Sequence, residues 1–296
     1  MLKRIITAFV CLTIFAPVLI FSGTPVGKIV FISLLTALAV VGVYELAGCI
    51  GVRRQWLLSI PSYIFVILMM IFVLFLPDKS WMIKTAFATA FLYIFVTFSV
   101  SMLSSGNVRM SQTAELVSVS AYIAIGFLCI ILTRYATESH IDGDVRKILG
   151  NYLYMLIFLG AWSTDTGAYF VGVTMGKHKL IPGVSPNKTV EGAIGGVFGC
   201  AAGYAIYGAV LTLAYNVKVN WGMLMLLAVI IAVVDQLGDL IASYIKREQG
   251  IKDFGTIFPG HGGVLDRFDS IIAIAPVIYI FSMLARVNIF SCRKKP

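Results

Sequence analysis

Residues 221–244 read WGMLMLLAVIIAVVDQLGDLIASY, an apolar run that only a few polar side chains interrupt. An α-helix rises about 1.5 Å per residue, so about 20 apolar residues are enough to cross the hydrocarbon core of a bilayer. The run is continuous and does not alternate between apolar and polar positions, as a strand of a membrane barrel would. It therefore predicts a transmembrane helix.

The composition of the whole chain has the same character. Of its 296 residues, 59% are hydrophobic and only 12% are charged, whereas soluble domains carry roughly 25% charged residues. A soluble domain of this length could not bury so much apolar surface, because folding leaves a large share of the chain's surface in water. The composition excludes a soluble protein and predicts a polytopic membrane protein.

Further apolar runs of similar length follow one another along the chain, and we predict an all-α membrane protein with about nine transmembrane helices. The first run follows Lys3 and Arg4 without a convincing cleavage site, so we expect an uncleaved span and not a signal peptide. The N-terminal region, residues 1–150, has about five spans, and the C-terminal region, residues 151–296, has about four. The predicted spans are residues 5–22, 28–48, 57–76, 82–103, 114–134, 151–174, 190–215, 221–244 and 268–287.

Two polar loops separate the last spans. Counting alternate sides from a cytoplasmic N-terminus places residues 175–189 and 245–267 on the cytoplasmic side, although Lys and Arg are almost evenly divided between the two sides. The net charge of +9 fits either basic loops at anionic headgroups or a polyanionic substrate, and composition leaves both open. We predict a multi-pass protein of the inner (cytoplasmic) membrane of the cell, with its functional site facing the cytoplasm.

Charged residues at membrane depth are confined almost entirely to the second half. Asp165, Asp235 and Asp239 lie inside predicted spans, where each aspartate costs about 2.5–3.5 kcal/mol at a helix centre. Such residues either have a function or pair with a cation on another helix, and both explanations stay open. At about 100° per residue, Asp235, Asp239, Ser243 and Lys246 share one face of the eighth span. A row of carboxylates that ends in a cation suits a metal ion with a phosphate group above it.

The first half of the chain has few ionisable residues within its predicted spans. Glu45, near the end of the second predicted span, is the exception among its apolar residues, and we interpret it as an interfacial side chain and not a functional one. The five cysteines of the chain are scattered without a CxxC pair. Neither a disulfide framework nor a zinc site is indicated.

The segment SPNKTVEG at residues 185–192 immediately precedes the seventh predicted span. A helix N-terminus offers free N–H groups and the positive end of the helix dipole, both of which favour phosphate. Lys188 adds a point charge, but the GxxxxGK[ST] pattern of a P-loop is absent. Taken alone, the segment fits either headgroup anchoring or binding of a substrate phosphate.

The richest polar stretch is SYIKREQGIKDFGTIFPGHGGVLDRFD, residues 243–269. Its glycines at 260, 262 and 263 would let the backbone approach a ligand closely. Asp266 and Asp269 are three residues apart at the start of the ninth span and can face one ion. Carboxylates without cysteine ligands indicate a hard cation, and Mg²⁺ fits best. Cations beside such an ion neutralise phosphate oxygens, which indicates nucleotidyl or phosphoryl transfer.

This stretch resembles the signature of the phosphatidate cytidylyltransferases, also called CDP-diglyceride synthases. The resemblance extends upstream to DTGAY at 165–169, to residues 185–192 and to DQLGDL at 235–240. It covers about residues 150–285, while the first half is similar only in being hydrophobic and multi-spanning. It implies transfer of CMP from CTP to phosphatidic acid, which gives CDP-diacylglycerol and pyrophosphate in phospholipid biosynthesis.

The resemblance also implies a Mg²⁺ site formed by Asp239, Asp266 and Asp269, and the helical face described above adds Asp235. It leaves open whether a second, monovalent cation joins Mg²⁺, and whether His261 protonates pyrophosphate or only binds it. The candidate catalytic residues are Asp239, Asp266, Asp269, Lys246 and Arg267. The candidate substrate-binding residues are Ser185, Asn187, Lys188, Thr189, Arg247, Lys252, Asp253, His261 and Asp165.

The expected partners are CTP, phosphatidic acid and membrane lipids, with no nucleic acid, and the sequence leaves a homodimer open. One alternative function is a CTP-dependent kinase of a polyprenol or phytol, which would transfer the γ-phosphate to an alcohol. Another is an ion-coupled transporter that uses the intramembrane aspartates, although neither internal repeats nor helix breaks are evident. The match along residues 243–269 favours the cytidylyltransferase.

Overall fold

The computed structural model describes residues 13, 15–75, 79–104, 108–136, 138–141, 144–147, 150–257, 262–284 and 289–292. Within them the chain is mainly helical, which confirms the all-α class. The helices are α1 (15–21), α2 (Pro25–Cys49), α3 (Trp56–Phe75), α4 (Lys79–Leu103), α5 (Met110–Arg134), α6 (Gly150–Met175), α7 (Val190–Tyr215), α8 (Trp221–Glu248) and α9 (Leu265–Met283).

Among the described residues, six short strands pair into three antiparallel two-stranded sheets, which the sequence did not predict. The hairpin that matters for the site is β3–β4, because it occupies most of the predicted loop 175–189 and leads into α7. Its register pairs Lys179 with Thr189 and Ile181 with Ser185. The strands are β1 (Glu138–Ile141), β2 (Asp144–Lys147), β3 (Lys179–Ile181), β4 (Ser185–Thr189), β5 (Val217–Val219) and β6 (Phe290–Cys292).

Six helices in the described part of the chain are long and apolar enough to cross a membrane, which confirms a multi-pass membrane protein. The predicted spans 151–174 and 268–287 are helical as α6 and α9 but are not among the six. Polar residues 163–166 interrupt α6, and α9 begins with charged side chains. The six are α2, α3, residues 80–103 of α4, α5, α7 and α8.

Local sequence explains several helix ends. Thr24 caps α2 by accepting a backbone N–H three residues on, and Pro25 occupies the first turn, where a missing N–H costs nothing. Thr189 caps α7 in the same way through the N–H of Gly192, at 3.1 Å. Asn216 ends α7 in the left-handed conformation, with φ 54°.

The two helices that carry the signature stretch have different ends from those predicted. Helix α8 continues through Glu248, so Lys246 and Arg247 lie in its last turn, where cations complement the helix dipole. Helix α9 begins at Leu265, three residues before the predicted start, and includes Asp266 in its first turn. The predicted loop 245–267 is therefore shorter at both ends.

The described residues form two compact units. Unit 1 contains those of Met1–Leu128 and Lys246–Phe268, and unit 2 contains those of Cys129–Ile245 and Asp269–Pro296. In unit 1, the Phe65 ring stacks on Tyr93 with centroids 4.4 Å apart. The predicted division of the chain at residue 150 stays a prediction.

In unit 2, helices α6 and α7 approach closely along a row of glycines. A Cβ on Gly167 would lie 2.5 Å from the carbonyl oxygen of Gly195 and 2.9 Å from the Cα of Gly199, so only glycine fits. The fully buried Tyr204 donates its hydroxyl to the carbonyl of Leu156 at 2.8 Å. This close packing fixes the helix that follows the β3–β4 hairpin.

Candidate active site

The β3–β4 hairpin brings a lysine to the polar face of α8 in unit 2. The Nζ of Lys188 lies 2.6 Å from the Oδ2 of Asp239 and 3.5 Å from the backbone carbonyl of Gln236. About a quarter of the Lys188 side chain and a third of the Asp239 side chain remain exposed, at 25% and 32%. An ion pair this exposed contributes little to stability, and both groups stay accessible to a ligand.

One helical turn before Asp239, Asp235 is completely buried. Neither of its carboxylate oxygens makes a hydrogen bond of ordinary distance and angle in the described part of the chain, although the Ser270 hydroxyl, which donates to the Asp235 carbonyl, is close enough to interact with the carboxylate. It lies within electrostatic range of Asp165, Asp239 and Lys188. Burying a carboxylate without such hydrogen bonds is costly, so this position requires either a bound proton or a cation. Asp235 is therefore a candidate for holding either a proton or a cation in unit 2.

The backbone around Asp235 is fixed by contacts with the neighbouring helices of unit 2. The Ser270 hydroxyl of α9 donates to the Asp235 carbonyl at 3.2 Å. The Gln236 amide donates to the carbonyl of Ala193 in α7 at 3.2 Å. A Cβ on Gly238 would lie 2.6 Å from that of Ala273, so glycine allows α9 to approach. The carboxylates of α8 are thus held on a rigid scaffold.

The two ends of the hairpin are joined by Glu191 in the first turn of α7. Its carboxylate accepts the backbone N–H groups of Lys177 at 3.0 Å and of His178 at 3.2 Å. It also lies 2.6 Å from the Nδ1 of His178. Ser185 and Asn187 lie on the same strand as Lys188, with Ser185 half-buried and Asn187 exposed. Residues 185–189 therefore form a hydrogen-bonded strand and not an irregular loop.

A second ion pair lies in unit 1, between Lys246 and Asp266. The Nζ of Lys246 is 2.8 Å from Oδ1 of Asp266, and only 11% and 4% of the two side chains are exposed. Oδ2 of Asp266 accepts the backbone N–H groups of Phe254 and Gly263, each at 2.9 Å. The Lys246 ammonium also lies over the Phe254 ring, 5.3 Å from its centroid. Both Asp266 oxygens are therefore engaged within unit 1.

The structure also corrects the interpretation of Glu45. It is only 1% exposed, so the interpretation as an interfacial side chain was wrong. Its two oxygens accept the backbone N–H groups of Val264 and Leu265, each at 3.0 Å. The signal was present in the sequence, since a carboxylate within an otherwise apolar span rarely occurs without a partner.

The remaining candidates lie mostly on the surface. The carboxylate of Asp269 in α9 is half-buried and accepts the backbone N–H of Ser270 at 2.9 Å. Arg247 donates to the carbonyl of Ile251 at 3.1 Å. His261 lies outside the described residues. The exposed candidates are Asp165, Arg247, Lys252, Asp253 and Arg267.

The predicted metal ligands divide between the units, with Asp235, Asp239 and Asp269 in unit 2 and Asp266 in unit 1. No three His, Cys, Asp or Glu side chains of the described chain are grouped as a metal site. The donor chemistry of unit 2 nevertheless fits a hard cation, because the buried Asp235 offers two carboxylate oxygens, neither of which makes an ordinary hydrogen bond among the described residues. The Mg²⁺ site stays a prediction.

Comparison with known proteins gives this arrangement a chemical context. Residues 2–285 match the profile of the cytidylyltransferase family. The chain belongs to the cytidylyltransferase family. Among its relatives are the phosphatidate cytidylyltransferases of Staphylococcus haemolyticus (strain JCSC1435) and Staphylococcus epidermidis (strain ATCC 12228). Each is 34% identical to this chain over 277 residues, and the alignment covers 94% of this chain and 97% of the relative. That of Staphylococcus aureus (strain COL) is 34% identical over 279 residues, again 94% and 97% of the two chains.

These matches confirm the resemblance found in residues 243–269. They also extend it, because the family match includes the N-terminal helices that the signature left out. Glu45 and nearly all of unit 1 therefore lie within residues 2–285, the part of the chain that matches the family.

Proposed function

We propose that this cytidylyltransferase transfers the cytidylyl group of CTP to phosphatidic acid, giving CDP-diacylglycerol and pyrophosphate for phospholipid biosynthesis. The names of its relatives support this substrate pair. The observation that carries the proposal is the pairing of Lys188 with Asp239 one turn from the buried Asp235. Asp235 and Asp239 lie on a helix apolar enough to span the membrane, where a lipid substrate is found.

The reaction needs little acid–base chemistry. An anionic phosphate oxygen of phosphatidic acid attacks the α-phosphorus of CTP, and the bond from that phosphorus to the oxygen of the β-phosphate breaks. Pyrophosphate leaves with that bonding pair of electrons. Because the nucleophile is already ionised, the protein mainly has to position two polyanions and offset their repulsion. We assign this role to Lys188 and to the exposed cations Arg247, Lys252 and Arg267.

Asp235, Asp239 and Asp269 are the residues of unit 2 that would hold Mg²⁺. When bound, Mg²⁺ would neutralise charge on the phosphate oxygens of CTP. Lys188, at 2.6 Å from Asp239, holds that carboxylate in place through the ion pair. The predicted metal role of Asp266 requires a change of partner at Oδ1, which Lys246 occupies at 2.8 Å.

We further propose that all nine predicted spans cross the inner membrane and that the site faces the cytoplasm. The β3–β4 hairpin and the segment between α8 and α9 would then lie on the side where CTP is available. The helical structure of α6 and α9 supports two of the three spans beyond the six apolar helices. A homodimer stays a prediction.

Labelled CTP tests the proposed reaction. With purified protein, Mg²⁺ and phosphatidic acid in mixed micelles, phosphorus label at the α-position should appear in the lipid and label at the γ-position in pyrophosphate. Omitting phosphatidic acid should abolish both products. The opposite distribution, with γ-label in a lipid phosphate when phytol or a polyprenol is supplied and α-label left in CDP, would replace the proposal with a lipid kinase.

A further inference from the structure

The start of α9 is held by a residue from the other end of the sequence. Glu45 of α2 accepts the backbone N–H groups of Val264 and Leu265 at 3.0 Å, across 219 and 220 positions of the chain. N–H groups at the start of a helix have no partner within the helix, and the dipole there favours a negative charge. Glu45 thus supplies the first turn of α9 with the acceptors and the charge that it needs.

Two glycines, Gly255 and Gly263, pack against the Glu45 carboxylate. A Cβ on Gly255 or on Gly263 would overlap the carboxylate of Glu45. Neither glycine has a positive φ, so the requirement at both positions is for space and not for an unusual backbone conformation. The segment between α8 and α9 therefore fits around Glu45 at two points.

Asp266 fixes the same segment from within it. Its Oδ2 accepts the N–H groups of Phe254 and Gly263, while Oδ1 pairs with Lys246. Together the carboxylates of Glu45 and Asp266 satisfy four backbone N–H groups of residues 254–265. The two hydrogen bonds from Glu45 therefore hold the start of the first turn of α9, which carries Asp266 and Arg267.

We infer that Glu45 is a positioning residue for cytidylyl transfer, holding the first turn of α9 so that Asp266 and Arg267 keep their places. This inference rests on the proposed function for its reaction, but not for its geometry. Glu45 is buried and is not a catalytic residue, since its oxygens face backbone N–H groups. The charge of Glu45 matters as well as its shape. A glutamine at this position would have only one acceptor oxygen, and its NH₂ group would face a backbone N–H donor.

The variant Glu45→Gln tests the inference. We expect turnover per folded protein to fall by roughly 10–100-fold, the usual cost of misplacing a supporting group. The KM values for CTP and phosphatidic acid should change far less than turnover. Amide hydrogen exchange should accelerate in residues 262–267 and stay unchanged elsewhere, since only the acceptors of that turn are lost.

A matched control replaces another carboxylate of unit 1. Glu115 accepts the Gln249 side-chain amide at 3.0 Å and, in the described part of the chain, makes no hydrogen bond or ion pair with the start of α9, so Glu115→Gln should keep turnover and exchange near wild type. A second variant, Gly263→Ala, places a methyl group against Glu45. Because both changes disturb one contact, the double variant Glu45→Gln/Gly263→Ala should lose less than the two single losses combined.

The outcomes separate the inference from its alternatives. Wild-type turnover and exchange in Glu45→Gln would overturn it. Loss of exchange protection throughout the protein would also overturn it, because the residue would then support the fold as a whole. If wild-type protein forms no CDP-diacylglycerol, the proposed function fails, and the exchange of residues 262–267 in Glu45→Gln still decides whether Glu45 holds this turn.

Discussion

Replacing Asp239 with asparagine should lower cytidylyl transfer by roughly 10³-fold, the upper range for removing one group that stabilises transition-state charge, while the protein stays folded. The carboxylate pairs with Lys188 at 2.6 Å and is one of the proposed Mg²⁺ ligands. The amide keeps the shape but not the charge that a cation requires. The ion pair is about a third exposed, so its loss should change stability little.

The measurement is the initial rate of CDP-diacylglycerol formation, together with the elution profile and thermal unfolding of the variant in detergent. Glu248→Gln is the matched control, because it makes the same chemical change at the exposed C-terminal end of the same helix. Its rate should equal that of wild type. Wild-type activity in Asp239→Asn would remove this residue from the catalytic centre.

Replacing Lys246 with methionine should destabilise unit 1 by about 3–5 kcal/mol, the cost of leaving one member of a buried ion pair without its partner. Asp266 would keep two backbone N–H groups but lose the cation at 2.8 Å. Activity should fall as well, since the segment that carries Arg267 depends on the same carboxylate. Arg247→Met, which removes the neighbouring exposed cation, is the control for stability and should unfold at nearly the wild-type temperature.

A double variant distinguishes the ion pair from simple packing. Lys246→Met/Asp266→Asn removes both charges, so it should be more stable than Lys246→Met alone. Thermal unfolding in detergent measures the difference. If the double variant is the less stable of the two, the buried charge of Asp266 is not what destabilises Lys246→Met, and the assignment of a buried pair is wrong.

Sequence patterns predicted most of the helices and singled out the aspartates of α8. The apolar run at residues 221–244 predicted that helix, and its aspartates stood out because charge at membrane depth is costly. Thr189 before α7 was recognised as part of a segment that precedes a helix, and it caps that helix. Membership of the cytidylyltransferase family followed from residues 243–269, where motif spacing is specific.

Contacts between distant parts of the chain could not be predicted in this way. Nothing in the sequence near Glu45 specifies partners more than 200 positions later. The signature stretch likewise did not show that Lys188 would pair with Asp239 and Lys246 with Asp266. Several cations and carboxylates had compatible charge, and only the fold selects among them. The β3–β4 hairpin was missed because its strands have only three and five residues, too few to show an alternating pattern.

The proposed catalytic centre requires that the buried carboxylate of Asp235 belongs to a cation site. Binding of Mn²⁺, measured by electron paramagnetic resonance in purified protein with CTP, tests this claim most directly, because Mn²⁺ takes the oxygen ligands of Mg²⁺. Wild-type protein should bind the ion, and Asp235→Asn should lose that binding while its thermal stability stays equal or rises, since a buried charge is removed. Equal Mn²⁺ affinity in the two proteins would contradict the account.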